Sequence, residues 1–421
     1  MKDATLTPDA AQFAAKPVDD VLIAGGGYVG LSLAVAVKAA APHLSVRVVD
    51  GAPEGAWKRD GRASALAAAA TRMLDVLGVW REILPEAEPI KRMVITDSKT
   101  GDPVRPVFLT FEGDGADGSP FAHMVQNVTL VGALRARAEA LGIAIIPSAV
   151  AESFCTGPHQ VELALADGSL LPARLLVACD GVRSRLRQSA GINTVVFDYG
   201  QSGIVTTVEH ERPHEGTAHE HFLPAGPFAT LPLRGNRSSL VWTERTEDAN
   251  RLIESDDLIF EDQLERRFGR RLGALKVVGP RRAFPLGLTL ARAFVAPRFA
   301  LAGDAAHGIH PISGQGLNLG FKDVAALAET IVEADRLGLD IGSLSVLERY
   351  QTWRRFDTFR MGVTTDVLNR LFSNDMTPVR ALRDFGLGLV DRMPKLKNFF
   401  ISQAAGEADS TAPRLLGGRP I

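Results

Sequence analysis

Cysteine is almost missing from this chain. Two occur in 421 residues, Cys155 and Cys179. That count excludes a disulfide framework, falls short of a structural zinc site and fits a reducing, cytoplasmic compartment. Cys179 lies in an apolar run and reads as a small buried hydrophobe, not a reactive thiol. No charge of one sign dominates: 47 Lys and Arg against 49 Asp and Glu leave a net −2, which gives no footing for a nucleic-acid partner. Uncharged runs long enough to cross a membrane are missing as well. The nearest approach, Val21 to Val37, contains four glycines in a nucleotide-loop pattern and ends at Lys38. Residues 1 to 17 lack the basic start and apolar core of a signal peptide, and Asp3 and Asp9 argue against a transit peptide, so a disordered lead-in is expected. His210, His214, His219 and His221 cluster in sequence without cysteine or carboxylate spacing, so no metal site is expected there and solvated strand edges account for them. There is no internal repeat. With 46% apolar and 23% charged residues, the chain has the composition of a globular protein of two domains or one large elaborated domain.

What is present is a nucleotide fingerprint. Val21-Leu22-Ile23-Ala24 is a short apolar strand, and Gly25-Gly26-Gly27-Tyr28-Val29-Gly30 follows it in the pattern G-x-G-x-x-G. A helical stretch with Leu31, Leu33, Ala34 and Val37 comes next, then a second strand, Val46 to Val49, ending in Asp50. Every part has a physical reason. Gly25 makes the tight turn, Gly27 lets backbone approach a pyrophosphate, Gly30 lets helix and strand pack closely, and Asp50 accepts hydrogen bonds from a ribose.

A second feature is the run Arg298 to Asp323. Its apolar strand Phe299 to Ala302 turns on Gly303-Asp304, crosses a loop with His307, His310 and Pro311, and meets Gly314-Gln315-Gly316. Helical spacing then begins at Leu317, Phe321, Val324 and Leu327. Such a strand end, glycine-rich loop and helix start can hold a large polar cofactor, with Asp304 accepting from a polyol. The plain alternative is an ordinary strand-loop-helix connection with turn glycines. A third feature, Leu175 to Arg187, is a buried strand ending in Asp180-Gly181, with Ser184 and Arg187 beyond it. Asp180 suits a position beside a pyrophosphate, while Ser184 and Arg187 fit bracing of the turn. Arg62 admits two readings, a solvated charge or a planar donor toward a cofactor phosphate or ring edge. Asn127 reads as an N-cap.

Between these features, residues 193 to 284 alternate like an antiparallel sheet, interrupted by one helix from Asp257 to Arg271. The chain after Asp323 is helical. Val379, Leu382, Leu389, Val390 and Met393 fall near one face within Pro378 to Phe400, with Arg380, Arg383, Arg392, Lys395 and Lys397 around them. That stretch suits either packing on its own domain or an anionic membrane surface.

The three features in this order, with the run His310-Pro311-Ile312-Ser313-Gly314-Gln315-Gly316-Leu317-Asn318-Leu319-Gly320 and with Phe222 to Pro227, Leu231-Pro232-Leu233 and Phe284-Pro285-Leu286, resemble the ubiquinone-biosynthesis hydroxylase branch of the FAD-dependent aromatic monooxygenases, whose fold is like that of p-hydroxybenzoate hydroxylase. The resemblance covers Val18 to about Gly406. It implies an α/β protein: a Rossmann-like FAD-binding domain in three pieces (18–90, 122–192, 285–343), an inserted, mostly antiparallel substrate domain (91–121, 193–284), a helical C-terminal region (344–406) and a disordered tail (407–421). It implies FAD as cofactor, held by Gly25, Gly27, Gly30, Asp50, Arg62, Gln126, Asp180, Gly303 and Asp304. Pro311, Gly314, Gln315, Gly316, Leu317 and Asn318 would line the flavin ring. Many relatives carry an acid where this chain has Gln126. NAD(P)H or another electron donor and molecular oxygen are the implied co-substrates. The implied reaction hydroxylates the ring of a polyprenylated phenol through a flavin C4a-hydroperoxide. The alternatives are a hydroxylase or reductase acting on another aromatic or isoprenoid molecule, and a flavin-binding accessory subunit of a quinone-biosynthesis complex. The implied partners are the substrate, such a complex and the inner face of the membrane, touched peripherally. With only Tyr28, Tyr199 and Tyr350 present, no tyrosine relay can be placed and no general base is assigned; His307 and His310 are candidates by proximity alone.

Overall fold

The computed structural model describes residues 17–97, 107–112, 120, 122–309, 315–372 and 412–421. Two large sheets organise it. The first has a parallel core in the order Phe299–Leu301, Leu170–Ala178, Asp19–Ala24, Val46–Val49, Ala144–Ile146. Its strands are continuous apolar runs because both faces are covered; Val21, Leu22, Ile23 and Leu175 to Ala178 are wholly buried. Helices Tyr28–Ala40, Asn127–Ala140 and Gln315–Arg336 supply the layers. An antiparallel hairpin, Ala151–Thr156 with Val161–Leu165, extends from Leu170–Ala178.

The second sheet runs His307–Gly308, Arg282–Ala291, Thr194–His210, Arg237–Arg245, Gly226–Leu233, Thr217–Leu223, Arg92–Asp97, Val107–Glu112. Within this order its pairs are antiparallel except Thr217–Leu223 with Arg92–Asp97. One face, carrying Ile204, Val208, Phe228, Leu240 and Trp242, packs on Phe260 and Leu264 of helix Asp257–Phe268. There the Arg267 guanidinium lies 4.5 Å from the Trp242 ring and pairs with Glu244 at 2.9 Å. Elsewhere Ala218 and Leu233 of this sheet pack on Ile90, Ala122 and Met124 of a small third sheet made of Ala63–Ala67, Ala122–Gln126 and Glu88–Ile90.

Four expectations are corrected. The end of the chain is not a free tail over residues 412–421: Leu415 and Leu416 are buried, and Arg414 pairs with the buried Glu329 at 2.9 Å. Apolar side chains and one guanidinium aimed at a buried carboxylate hold it, and composition alone cannot show that. Asn127 is not an N-cap but a buried first-turn residue; its amide donates to Asp60 at 3.1 Å and accepts from Ser64 at 2.8 Å. His210, His214 and His221 are buried, not solvated. Their rings bond Arg212 O, Leu233 O and Thr96 Oγ1 at 2.6 to 2.7 Å; His221 is covered by Arg92–Asp97, and His210 by the strand Leu275–Val277 beside it. No metal-binding group of His, Cys, Asp and Glu occurs among the described residues. Finally, a further helix, Thr246–Glu254, precedes the expected one. The lead-in before Pro17 and the stretch Pro378 to Phe400 lie outside the described residues.

Candidate active site

The loop after the first strand is shaped by backbone crowding. Gly25 has φ +120°, and a Cβ there would lie 2.2 Å from the Cys179 carbonyl oxygen. A Cβ on Gly30 would lie 2.0 Å from the Gly25 oxygen, so strand and helix touch as backbone on backbone. A Cβ on Gly27 would meet nothing within 4 Å. Gly27 caps the helix Tyr28–Ala40 and no side chain caps it. Its first N–H groups therefore face open space, where an anion is stabilised by the helix dipole. Asp50 flanks this space; its carboxylate accepts from Ala52 N at 3.1 Å. Asp180 stands opposite, with Oδ2 accepting from Leu186 N at 3.4 Å and Oδ1 buried without a partner. The open cleft between them holds about 420 Å³ and is lined by Gly25, Gly27, Asp50, Cys179, Asp180 and Arg183 among others. Burial pushes the Cys179 thiol upward, which keeps it inert.

The Asp304 loop is where the two sheets are stitched together. The chain leaves the parallel sheet at Leu301, makes a single 3-10 turn over Gly303–Ala305, and joins the second sheet at His307–Gly308, opposite Leu290 and Thr289. Gly303 adopts φ +64°. Arg187 braces the turn by donating to Ala305 O at 2.8 Å, and Ser184 caps the helix that carries Arg187. The Asp304 side chain itself stays open to the cleft. Even so, the walls around it withdraw water and push its carboxyl above the ordinary range, with His307 and Arg62 opposing.

Beneath the loop lies a buried charge network built on Asp323, the acid that closes the second sequence feature, whose partners the sequence did not show. Asp323 is wholly buried and accepts from Gly303 N at 2.9 Å, His307 Nε2 at 2.5 Å and Arg354 Nε at 2.8 Å. Arg354 continues to Asp357 at 2.8 Å, and Lys322 reaches Asp357 at 3.3 Å. The available signal was a carboxylate on the apolar face set by Leu317, Phe321, Val324 and Leu327. A buried acid must be paired, and the pairing marks what it holds in place.

The sequence matches the FAD binding domain family model over residues 19–355. It is 46% identical over 413 residues to a ubiquinone hydroxylase, UbiL, of Rhodospirillum rubrum, covering 97% of this chain and 94% of that one. The chain belongs to the ubiquinone-biosynthesis hydroxylase family of FAD-dependent monooxygenases. A 3-demethoxyubiquinol 3-hydroxylase of Escherichia coli is 33% identical over 396 residues, 92% of this chain and 98% of that one. Among solved structures, the p-nitrophenol 4-monooxygenase PnpA of Pseudomonas putida superposes with a TM-score of 0.76 at 19% identity, covering 93% and 99% of the two chains, which shows a shared fold.

FAD is accordingly the cofactor of this hydroxylase, and the residues present fit it. The first loop offers an uncapped helix start and an open approach at Gly27, and Asp180 opposite it holds a buried carboxylate oxygen without a partner, an acceptor for a cofactor hydroxyl. Arg62 stands near Asp304 and Tyr28, stacks 5.5 Å from the Phe284 ring and uses Nε and Nη2 on Asp60 at 2.8 Å each. Gln126 ends the neighbouring strand Ala122–Gln126, half-buried. Asn318 points its amide at the strand Ala63–Ala67, accepting from Ala67 N and donating to Ala65 O at 2.9 Å each. Leu317 is buried beside it, and Gly316 has open space around its Cα. Gln315 opens the helix. His310, Pro311 and Gly314 lie outside the described residues. Tyr350 is structural: its hydroxyl donates to Leu301 O at 2.7 Å inside the core.

Proposed function

We propose that this protein hydroxylates the aromatic ring of a polyprenylated phenol in ubiquinone synthesis, using FAD, an electron donor such as NAD(P)H and molecular oxygen. The observation that carries the reading is Asp304, set between two sheets by a three-residue turn, beside Arg62 and next to Tyr28 and Val29 at the start of the helix that follows the glycine loop. The substrate class rests on the ubiquinone hydroxylases to which the chain is similar.

When bound, FAD supplies the redox chemistry, taking two electrons from the donor and activating oxygen. One oxygen atom replaces a ring hydrogen as hydroxyl and the other leaves as water. The protein's own work is holding and shielding. Gly25, Gly27 and the helix N-terminus bind the pyrophosphate, Gly30 keeps that helix in register, and Asp50 receives the ribose. Asp180 stands by the phosphates with its free oxygen. Gly303 and Asp304 receive the ribityl chain, while Arg62, Gln126 and the run Pro311 to Asn318 border the ring system. His307 serves the loop and not the substrate, since its side chain is wholly buried and its Nε2 is bonded to Asp323 at 2.5 Å. No helix among the described residues is long and apolar enough to cross a membrane. A polyprenylated substrate stays in the bilayer, so contact with membrane and neighbouring quinone enzymes is peripheral in this reading.

The test supplies FAD-loaded protein with a farnesylated phenol, NADH and isotopically labelled oxygen gas. Mass spectrometry should find one labelled atom in the product. Unlabelled or unmodified phenol, with NADH consumed, would defeat the reading. Asp304→Ala should weaken FAD binding by about 10- to 100-fold, the loss of one charge-assisted hydrogen bond of about 1.5–3 kcal/mol. Because the side chain is exposed, apo stability should move by no more than about 0.5 kcal/mol. Unchanged FAD affinity with collapsed stability would make Asp304 a structural residue.

A further inference from the structure

A second cavity, of about 760 Å³, lies between the second sheet and the long helix Leu344–Phe372. Its volume is within the span of about 300–1,000 Å³ common to small-molecule sites. Its position follows from strand periodicity. Along Arg282–Ala291, Phe284, Leu286, Leu288 and Leu290 point to one face, and Leu288 and Leu290 pair with Phe197 and Val195. Phe284, at one end of that face, is the ring on which Arg62 stacks. Leu288, Leu290, Val195 and Phe197, at the other end, line the cavity. Ala283 turns the opposite way, onto the helix-covered core. The cavity is therefore continuous in face with the candidate flavin cleft. Its inner wall reaches the Asp304 loop directly: Leu290 pairs with His307, and the Phe294 ring lies 6.1 Å from the His307 ring.

The buried part of the lining is mostly hydrocarbon, and the two arginines that also line the cavity, Arg292 and Arg355, are exposed residues. Gln351 uses its carbonyl oxygen on Phe294 N at 2.8 Å, and Thr352 donates to Glu348 O at 2.8 Å. Thr358 alone keeps a buried hydroxyl without a partner. At the outer end Phe356 is 73% and Phe359 61% exposed, a costly arrangement for a surface with nothing to cover it. A ring that must be oriented for attack needs directional contacts, and apart from the exposed Arg292 and Arg355 this lining supplies few of them. A flexible, branched hydrocarbon needs only shape and apolar walls.

We propose that this cavity binds the isoprenoid chain of the substrate, with the phenol at its inner end by the Asp304 loop and the chain leaving past Phe356 and Phe359. The inference rests on the hydroxylase reading for the identity of the ring, and on the cavity alone for the chain. Farnesol, which has no ring to oxidise, separates the two. Titrated calorimetrically into FAD-loaded full-length protein, farnesol should bind saturably. Leu288→Trp, which fills the cavity, and Phe356→Asp, which places a charge at its exposed mouth, should each weaken that binding about tenfold or more. Both variants should keep their FAD and melting temperature. With a farnesylated phenol, KM should rise by a similar factor and kcat should change much less. Equal farnesol affinity in wild type and both variants would overturn the proposal. So would absence of saturable binding to the wild type, the result expected if residues 373–411 of the chain itself fill the cavity. If farnesol behaves as expected and no phenol is hydroxylated, the cavity assignment stands and the reaction proposed above fails.

Discussion

Gly27→Val should yield a folded but colourless protein. Gly27 has φ −78° and ψ 179°, extended backbone that any residue adopts, and a Cβ there meets nothing within 4 Å. The fold therefore has no use for the missing side chain. The branched methyls would instead stand in front of the uncapped helix start, in the space the FAD pyrophosphate needs. Overpacking against a rigid ligand costs about 3 kcal/mol, so FAD affinity should fall at least about 100-fold. Gly30→Val makes the contrast. Its Cβ would sit 2.0 Å from the Gly25 oxygen and 3.2 Å from Ile23 Cγ2, so that variant should lose stability and FAD together. Visible absorbance of the purified proteins, read beside urea unfolding of their apo forms, separates the two cases. A Gly27→Val protein with full flavin content would remove the pyrophosphate from this loop.

Asp323→Ala should be the most destabilising single change near the site, costing about 3–5 kcal/mol, because it breaks a buried pair and leaves Arg354 Nε and His307 Nε2 without their partner. Asp323 joins the turn at Gly303, the second sheet at His307 and the long helix at Arg354, so its loss should also loosen FAD. The pH dependence gives a second readout. Burial alone would push the Asp323 carboxyl upward, but His307 and Arg354 overcome this and hold it below the ordinary range. Its folded pKa thus lies under the unfolded value of about 3.9, so its contribution to stability is present above that value and lost as pH falls through the folded pKa. Asp357, partly buried and held at about 2 by Lys322 and Arg354, adds to the same slope. Wild-type stability should fall steeply below about pH 4. Asp323→Asn, which keeps the shape, should start lower and fall less steeply, retaining the share due to Asp357. An identical slope in both proteins would mean that Asp323 does not titrate as part of folding.

How much of this was legible in the chain differs from segment to segment. Val21 to Asp50 could be read directly, because a tight turn, a close helix and a strand-end acid are local demands met by residues a few positions apart. Asp180 and Asp304 were legible as strand-end acids for the same reason. The alternation over residues 193 to 284 announced an antiparallel sheet, since the period of two is written residue by residue. What could not be read were facts set by distant partners. Asn127 looked like a cap because capping is local, yet its amide is used on Asp60 and Ser64, more than sixty residues away in sequence. The clustered histidines looked solvated because no local pattern shows that Arg92–Asp97 lies against His221 or that Leu233 O meets the His214 ring.

The sequence by itself determined the cofactor class, the two kinds of sheet and the three places where strands end in acids beside glycines, because these depend on backbone reach and side-chain period over short stretches. Tertiary structure alone decided that residues 301 to 307 cross from one sheet to the other, that Asp323 gathers His307, Gly303 and Arg354 beneath that crossing, and that an apolar cavity opens on the same face. Those are matters of which surfaces are buried together, and burial is a property of the whole packed chain: a carboxylate becomes a paired core charge, and a leucine face becomes a cavity wall, only when the elements that cover them are in place.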